Sequence, residues 1–212
     1  MPKAFTEYEK DLIGARLLDQ GYKLFSAYGL KKTGVGELAA AAGISKGAFY
    51  NFYESKEALF MDVVELAEQR FRQDVLAAID LPGPSPRARL SAVLKKAFTT
   101  FKAIPILQIL TSSDYDLLRR RVSPARLQEH LASDRTFIEE LVARCRQAGI
   151  PIQASAEEIG GLFYALVLTV LHEEDLGPNA LGGAVDRLLE LVAAFCLGEV
   201  QLQGLMGGGE PT

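Results

Sequence analysis

Helix starts and helix stops recur from one end of this 212-residue sequence to the other, and no stretch alternates apolar and polar residues as a strand would. Thr6 followed by Glu9 has the spacing of a capping box, in which side chain and main chain satisfy each other at a helix start. Leu17, Leu18, Gly21, Leu24, Phe25 and Tyr28 then recur at helical spacing until Gly29 stops the run. A short second helix is predicted from about Gly34 to Ala42, with Val35, Leu38, Ala39 and Ala42 on one face. After the turn Ala42-Gly43-Ile44, Ser45 begins a third helix reaching about Phe52, and Ser55 caps a fourth running toward Asp80.

The segment LPGPSP breaks that fourth helix, because proline removes a donor and clashes with the preceding turn. A fifth helix is predicted over about Arg87 to Ala103, and a sixth from Pro105 to Arg121. Ser123-Pro124, a cap followed by proline at the first helical position, opens a seventh that ends at Gly149. Ser155 with Glu158 repeats the capping box and opens a helix ending near His172. GPN (Gly177 to Asn179) precedes a last helix to about Leu205, and the tail GGGEPT is expected to be disordered. The prediction is an all-α protein of about nine helices without internal repeats.

A chain of this length can bury a sizeable core, and 49% apolar with 24% charged residues is the profile of a soluble globular protein. The formal net charge is −4, so the molecule as a whole offers no electrostatic case for nucleic acid. Its distribution is uneven. Residues 31–56 carry Lys31, Lys32, Lys46 and Lys56 against Glu37 and Glu54, whereas the region beyond residue 60 is acidic.

Cys145 and Cys196 stand far apart in apolar surroundings without a C-x-x-C spacing, and are expected as small buried hydrophobes in a reducing cytoplasm. The N-terminus has no signal-like apolar region. The longest apolar run, Ile159 to Leu171, falls short of the ~20 residues a membrane helix needs. The expected location is therefore cytoplasmic, with no membrane partner.

The stretch ISKGAFYNFYESKEALF, Ile44 to Phe60, concentrates the chemistry. Two short helices joined by a glycine-containing turn of about three residues form a helix-turn-helix pattern, whose second helix lies in the major groove of DNA. Ser45 can cap that helix beside free amides suited to a phosphate oxygen. Gly47 and Ala48 are small where a backbone must approach DNA, and a methyl group can touch a thymine methyl. Lys46 brings charge, Tyr50 a hydroxyl on a rigid stem, and Asn51 reach toward a base or the backbone. Phe49 and Tyr53, four apart, share the opposite face and are assigned to the core. Ser55-Lys56 opens the next helix and is read as a second phosphate clamp, fixing register without reading sequence. The same spacing also suits a surface helical hairpin whose lysines merely keep it solvated.

ARLLDQGYKLFSAYG followed by KKTGVGELAAAAGISKGAFYNFYESKEALF resembles the DNA-binding domain of the tetracycline-repressor (TetR) family, over about Thr6 to Met61 without a gap. The resemblance rests on Phe25-x-x-x-Gly29, Thr33-Gly-Val-x-Glu-Leu-Ala, Ala-Gly-Ile-Ser-Lys-Gly, Tyr50 and Ser55-Lys56-Glu57. It implies a homodimeric one-component transcriptional regulator, usually a repressor, released from double-stranded operator DNA by a small molecule. It also implies that Thr33 and Gly34 open the first helix of the motif near phosphate. Ser45, Lys46, Gly47, Ala48, Tyr50 and Asn51 then lie on the recognition helix, with Lys56 as the following phosphate contact. Position 34 often holds Ser or Thr in the family, so a contact from Gly34 would be through backbone. Position 51 is often His, and Phe52-Tyr53 inverts the usual order of aromatic types. Phe52, which cannot donate a hydrogen bond, is left off the contact set.

The expected organisation is a helix-turn-helix DNA-binding domain over 6–66 (motif about 33–52), a ligand-binding and dimerisation domain over 67–206, and a tail at 207–212. Ile159 to Leu171 is apolar on all sides and, with the equally apolar final helix, calls for a partner subunit. Leu162, Leu166, Val170, Leu188, Val192 and Phe195 are the candidate interface residues. The resemblance implies a four-helix interface there, with Gly160 and Gly161 permitting close approach. A two-fold dimer presents two reading helices about one DNA turn apart, or a multiple of it, and so predicts a pseudo-palindromic operator.

Phe71, Phe98, Phe101, Tyr115, Phe137 and Phe163 are candidates to line an effector pocket among the middle helices, although for each an ordinary core role is the stronger reading. Arg119-Arg120-Arg121 reads as a solvated run near Asp114 and Asp116. His172-Glu-Glu-Asp175 are consecutive and cannot converge on a metal from one helix turn, and His130 with Asp134 reads as a surface pair. No metal or cofactor is expected. A G-x-S-x-G elbow, a P-loop, a dinucleotide fingerprint and paired Glu-x-x-His motifs are all missing, which disfavours an enzyme. The other alternative is an all-α adaptor that keeps the fold without binding DNA.

Overall fold

The computed structural model describes residues 5–109, 114–171 and 183–200. Ten helices lie among them: α1 (Glu7–Lys32), α2 (Val35–Ala41), α3 (Lys46–Phe49), α4 (Lys56–Ala78), α5 (Pro86–Ala103), α6 (Pro105–Ile109), α7 (Asp114–Arg121), α8 (Pro124–Gln147), α9 (Ala156–Leu171) and α10 (Ala184–Cys196). There is no strand among the described residues. The expected sixth helix is two, α6 and α7, with 110–113 outside the described residues. The last described helix closes at Cys196, short of the expected Leu205, because Gly198 takes a left-handed φ of 71° after the Leu197 cap. The expected tail, and the His172-to-Asp175 cluster, also lie outside the described residues.

Local signals set these ends. At α1 the Glu9 amide donates to the Thr6 hydroxyl (3.3 Å), and the Thr6 amide donates to the Glu9 carboxylate (2.8 Å). The same reciprocal pair opens α9 between Ser155 and Glu158. Gly29 adopts φ 77°, a region that favours glycine, and kinks α1 so that only Leu30–Lys32 continue beyond it. Gly149, at φ 79°, closes α8.

The described residues fall into two compact units, the first up to Asp74 plus Thr99–Ser133, the second Val75–Phe98 plus Asp134 onward. In the first, Ile13, Leu17, Gly21 and Phe25 form one buried face of α1 at four-residue spacing. Phe25 meets Phe60 of α4 edge-to-face at 5.2 Å. Leu38, Ala39, Phe49, Leu59 and Met61 complete this core, all essentially inaccessible.

In the second unit, Arg89 of α5 donates to the Ile79 carbonyl (3.0 Å) and the Ala148 carbonyl (2.7 Å), closing the ends of α4 and α8 with one guanidinium. The Cys196 carbonyl accepts from the Gln153 amide at 2.7 Å, tying the end of α10 to the segment before α9. Cys145 and Cys196 are buried and unpaired with each other, as expected of small hydrophobes. A Cβ on Gly160 would stand 2.8 Å from Ile138 Cδ1, so this glycine admits α8 against α9 of the same chain. Its expected place at a subunit interface gives way to that packing, while Gly161 faces open space.

Candidate nucleic-acid interface

α2 and α3 are joined by Ala42-Gly43-Ile44, with Gly43 at φ 74° and the Ile44 amide donating to the Ala39 carbonyl (2.9 Å). Ser45 caps α3, its hydroxyl accepting from the Ala48 amide at 3.1 Å. The regular helix is only four residues long. Hydrogen bonds from Asn51, Phe52 and Tyr53 to the Ala48 and Phe49 carbonyls continue it as a turn.

Phe49 points inward and is wholly buried, stacked at 6.0 Å from the ring of half-buried Tyr53. Lys46, Gly47 and Asn51 are exposed on the other side, and Tyr50 is 52% exposed. Ser45 is exposed as well, and Ala48 is half-buried between the two faces. The segment therefore offers a small, polar and basic edge over an anchored aromatic floor. Six of the expected contact residues, Ser45, Lys46, Gly47, Ala48, Tyr50 and Asn51, are brought together on this one short element.

The other three expected contacts are used differently. Thr33 is 1% exposed, and its hydroxyl donates to the Gly29 carbonyl at 2.8 Å, sealing the kink of α1. The Gly34 amide donates to the Glu37 carboxylate at 2.8 Å, so its backbone donor is already engaged in capping α2. Lys56 extends its ammonium to the carbonyls of Leu30 (2.6 Å), Thr33 (2.8 Å) and Lys31 (3.3 Å). An ammonium has three donors, and all three are directed at the end of α1. Beside the phosphate contact expected of it, Lys56 thus has a structural role in fastening α4 to the end of α1.

Sequence reasoning missed a polar chain behind the reading segment. Burial raises the Tyr53 phenol above its ordinary pKa, and the nearby Asp62 carboxylate, to which the hydroxyl is hydrogen-bonded, raises it further. Asp62 accepts in turn from Arg126 of α8 (2.9 Å), which also reaches Glu65 (2.8 Å). The chain of bonds holds the turn after α3 against α4 and the first turn of α8. Arg126 lies more than sixty residues from both carboxylates it joins, and no local spacing announces it.

The aromatic candidates for an effector site divide. Phe71 and Phe101 pair edge-to-face at 6.3 Å in the first unit, whereas Phe98, Phe137 and Phe163 belong to the second. The side chain of Tyr115 lies outside the described residues. Arg119, Arg120 and Arg121 are exposed, as expected of a solvated run. His130 is not the surface residue it was read as. Its side chain is 10% exposed, with Nε2 3.5 Å from Glu68.

Of the candidate interface positions, Leu166 is 8% exposed and belongs to its own unit's core, while Leu188 is 39% exposed. Leu162, Val192 and Phe195 are half-buried, and the Val170 side chain lies outside the described residues. Tyr164 and Leu191, not among the candidates, are 55% and 56% exposed. The exposed apolar stripe therefore runs on α9 through Gly161, Tyr164 and Ala165, and on α10 through Leu188 and Leu191. No described helix is long and apolar enough to cross a membrane.

An all-helical chain whose first three helices present an anchored reading segment defines the class of helix-turn-helix proteins. Comparison with known sequences narrows it: residues 17–63 match the family of bacterial regulatory proteins described as the tetR family. Over those residues, the helix-turn-helix and its flanking helices, the chain is similar to that family. Over 63 residues it is 38% identical to the HTH-type transcriptional regulator AcrR of Shigella flexneri, covering 30% of this chain and 29% of that one. Over 50 residues it is 42% identical to the uncharacterized HTH-type regulator YerO of Bacillus subtilis, covering 24% and 17%. These matches span less than a third of either relative's length.

Likeness of fold extends much further. The fatty acid degradation regulator FadR of Bacillus halodurans superposes with a TM-score of 0.61 at 16% identity, over 95% of this chain and 100% of that one. Thermus thermophilus FadR, described as a TetR-family repressor in complex with lauroyl-CoA, gives 0.58 at 23% identity, over 92% and 100%.

Proposed function

We propose that this protein is a cytoplasmic one-component transcriptional repressor that binds a pseudo-palindromic operator as a homodimer and releases it when a small molecule binds. The observation that carries the reading is the orientation of the segment from Ser45 to Asn51. Phe49 is buried beneath it, while Lys46, Gly47, Tyr50 and Asn51 are left to solvent. A structural hairpin has no need of a glycine and an alanine beside an exposed lysine, tyrosine and amide, whereas a groove-reading element does. The acidic total charge is compatible with this role, because only the reading face must be positive within a Debye length of about 8–10 Å.

The domain division that goes with this reading is a DNA-binding domain over 6–66 and a ligand-binding and dimerisation domain over 67–206. Dimerisation is supported by the exposed stripe of Tyr164, Leu188 and Leu191, large apolar side chains that a partner copy would cover. Release by a small molecule is supported by kinship: a protein of the same fold holds lauroyl-CoA. Here the ligand would favour a spacing of the two reading segments that no longer matches the grooves, a shift between populated states.

Selection of genomic fragments by the purified protein, followed by elution with candidate metabolites, tests the reading. Recovery of one inverted-repeat site supports it, whereas salt-insensitive failure to retain any DNA, with dimers intact, would favour an adaptor.

A further inference from the structure

Inside the first unit, α1 and α4 touch closely at Gly21, where a Cβ would stand 3.1 Å from Val63 Cγ2 and 3.4 Å from Leu59 Cδ2. Beside that contact lies a cavity of about 200 Å³, lined from both helices. Val63 and Ala67 form its buried end with half-buried Leu18 and Ile104, and Tyr22 and Arg70 line it as well. An apolar cavity of roughly 150 Å³ is enough to hold a benzene ring. This one has room for a ring with a short side chain.

The charges at the cavity select the ligand. Asp19 is also part of the lining, but its carboxylate accepts from Lys23 Nζ at 2.7 Å and from Gln20 at 2.9 Å. The Lys23 hydrogen bond is the main reason its pKa lies below the ordinary value. That anion is therefore matched by its own cation. Arg70 is exposed and makes no ion pair or hydrogen bond with another described residue. A free guanidinium beside an apolar recess is the arrangement that takes a carboxylate with a hydrophobic body, since the planar fork matches both oxygens.

We propose that the cavity between α1 and α4 is a binding site for a small amphipathic monocarboxylate, its apolar part against Leu18, Val63, Ala67 and Ile104 and its carboxylate on Arg70. The site shares no residue with the six aromatic positions considered for an effector. Both helices that form it also carry the reading segment's core, through Phe25 and Phe60. A ligand wedged there would bear on the same packing.

Titration of the full chain with phenylacetate, followed by heat and by methyl resonances in NMR, tests the proposal without DNA and so independently of operator binding. Saturable binding is expected, with shifts of the Leu18, Val63 and Ile104 methyls. The neutral isostere phenylacetamide should bind at least tenfold more weakly. Arg70→Gln, at an exposed position, should abolish that preference for acid over amide. Ala67→Leu, which fills the recess, should weaken both ligands severalfold. Failure of phenylacetate to saturate, shifts confined to other methyls, or an acid preference that survives Arg70→Gln would each overturn the proposal.

Discussion

The ammonium of Lys56, the first residue of α4, donates to the main-chain carbonyl of Thr33, the cap of α1, at 2.8 Å. With its bonds to Leu30 and Lys31 it gathers three carbonyls at the end of α1, where a cation is also favoured by the helix dipole. The buried Thr33 hydroxyl, bonded to Gly29, completes the same joint. α4 is thereby fastened to the helix that leads into the reading motif.

Lys56→Met should keep the stem and lose these bonds, lowering stability by about 2 kcal/mol, the scale of a hydrogen bond to a charged group. Operator affinity should fall through misplacement of α2 and α3, with the salt dependence unchanged. A true phosphate contact would lower the slope of log K against log salt by about 0.9. A flattened slope with unimpaired thermal stability would restore the phosphate-clamp role.

Tyr50 is half exposed and Asn51 is exposed, so neither should matter to folding. Tyr50→Phe is expected to weaken binding to cognate and unrelated DNA by a similar factor, about five- to tenfold, because a phosphate contact carries no sequence information. Asn51→Ala should change which site is preferred. Quantitative binding to a randomised library separates the two, and equal loss of preference from both would refute the division of roles.

Leu191→Lys should leave the protomer folded and convert a dimer to monomers, since it places a charge in the exposed stripe. Leu166→Ala should instead cost about 2–4 kcal/mol of stability, as a truncation in a packed core does. Sedimentation and denaturant unfolding report the two outcomes. A dimer that survives Leu191→Lys would move the interface elsewhere.

Burial pushes both thiols up, Cys145 and Cys196 each to about 11. Only about one molecule in a thousand would then carry a thiolate at pH 8, the reactive form. Neither cysteine should be alkylated by iodoacetamide at that pH unless the protein is unfolded, and mass spectrometry of labelled peptides would reveal the contrary.

The Glu158 carboxylate accepts from the Ser155 amide and hydroxyl, and these two bonds, the main-chain one larger, hold its pKa below the ordinary value. A folded-state pKa below the unfolded one stabilises the cap above the ordinary carboxylate range, and that stability fades as pH falls through the lowered value. Ser155→Ala should raise the Glu158 midpoint in an NMR titration without fully normalising it, because the amide bond persists. An unmoved midpoint would contradict the capping role of the hydroxyl.

The reading segment was legible because its evidence is local. Small residues, a cap and a basic side chain follow one another, and Phe49 four residues from Tyr53 marks the inward face. The stabilising partners were not legible. Lys56 announces a charge at a helix start, a placement that suits a phosphate as well as it suits the three carbonyls it holds. Arg126 sits in an ordinary amphipathic helix, and only folding brings it to Asp62 and Glu65. Apolarity on every side of α9 pointed to burial without distinguishing Leu166, covered by its own chain, from Tyr164, left open.

The sequence alone determined where most helices begin and end, because capping boxes and left-handed glycines act within three or four residues: Thr6 with Glu9, Ser155 with Glu158, Gly29, Gly149. It also marked which edge of the helix-turn-helix is polar and exposed and which is core. Tertiary structure decided what that edge rests on: the Lys56 joint, the chain from Tyr53 through Asp62 to Arg126, and the gap between α1 and α4 beside Gly21. Those depend on groups meeting across as many as 64 positions of the sequence. Such meetings are set by how whole helices pack, and nothing in the neighbouring residues specifies them.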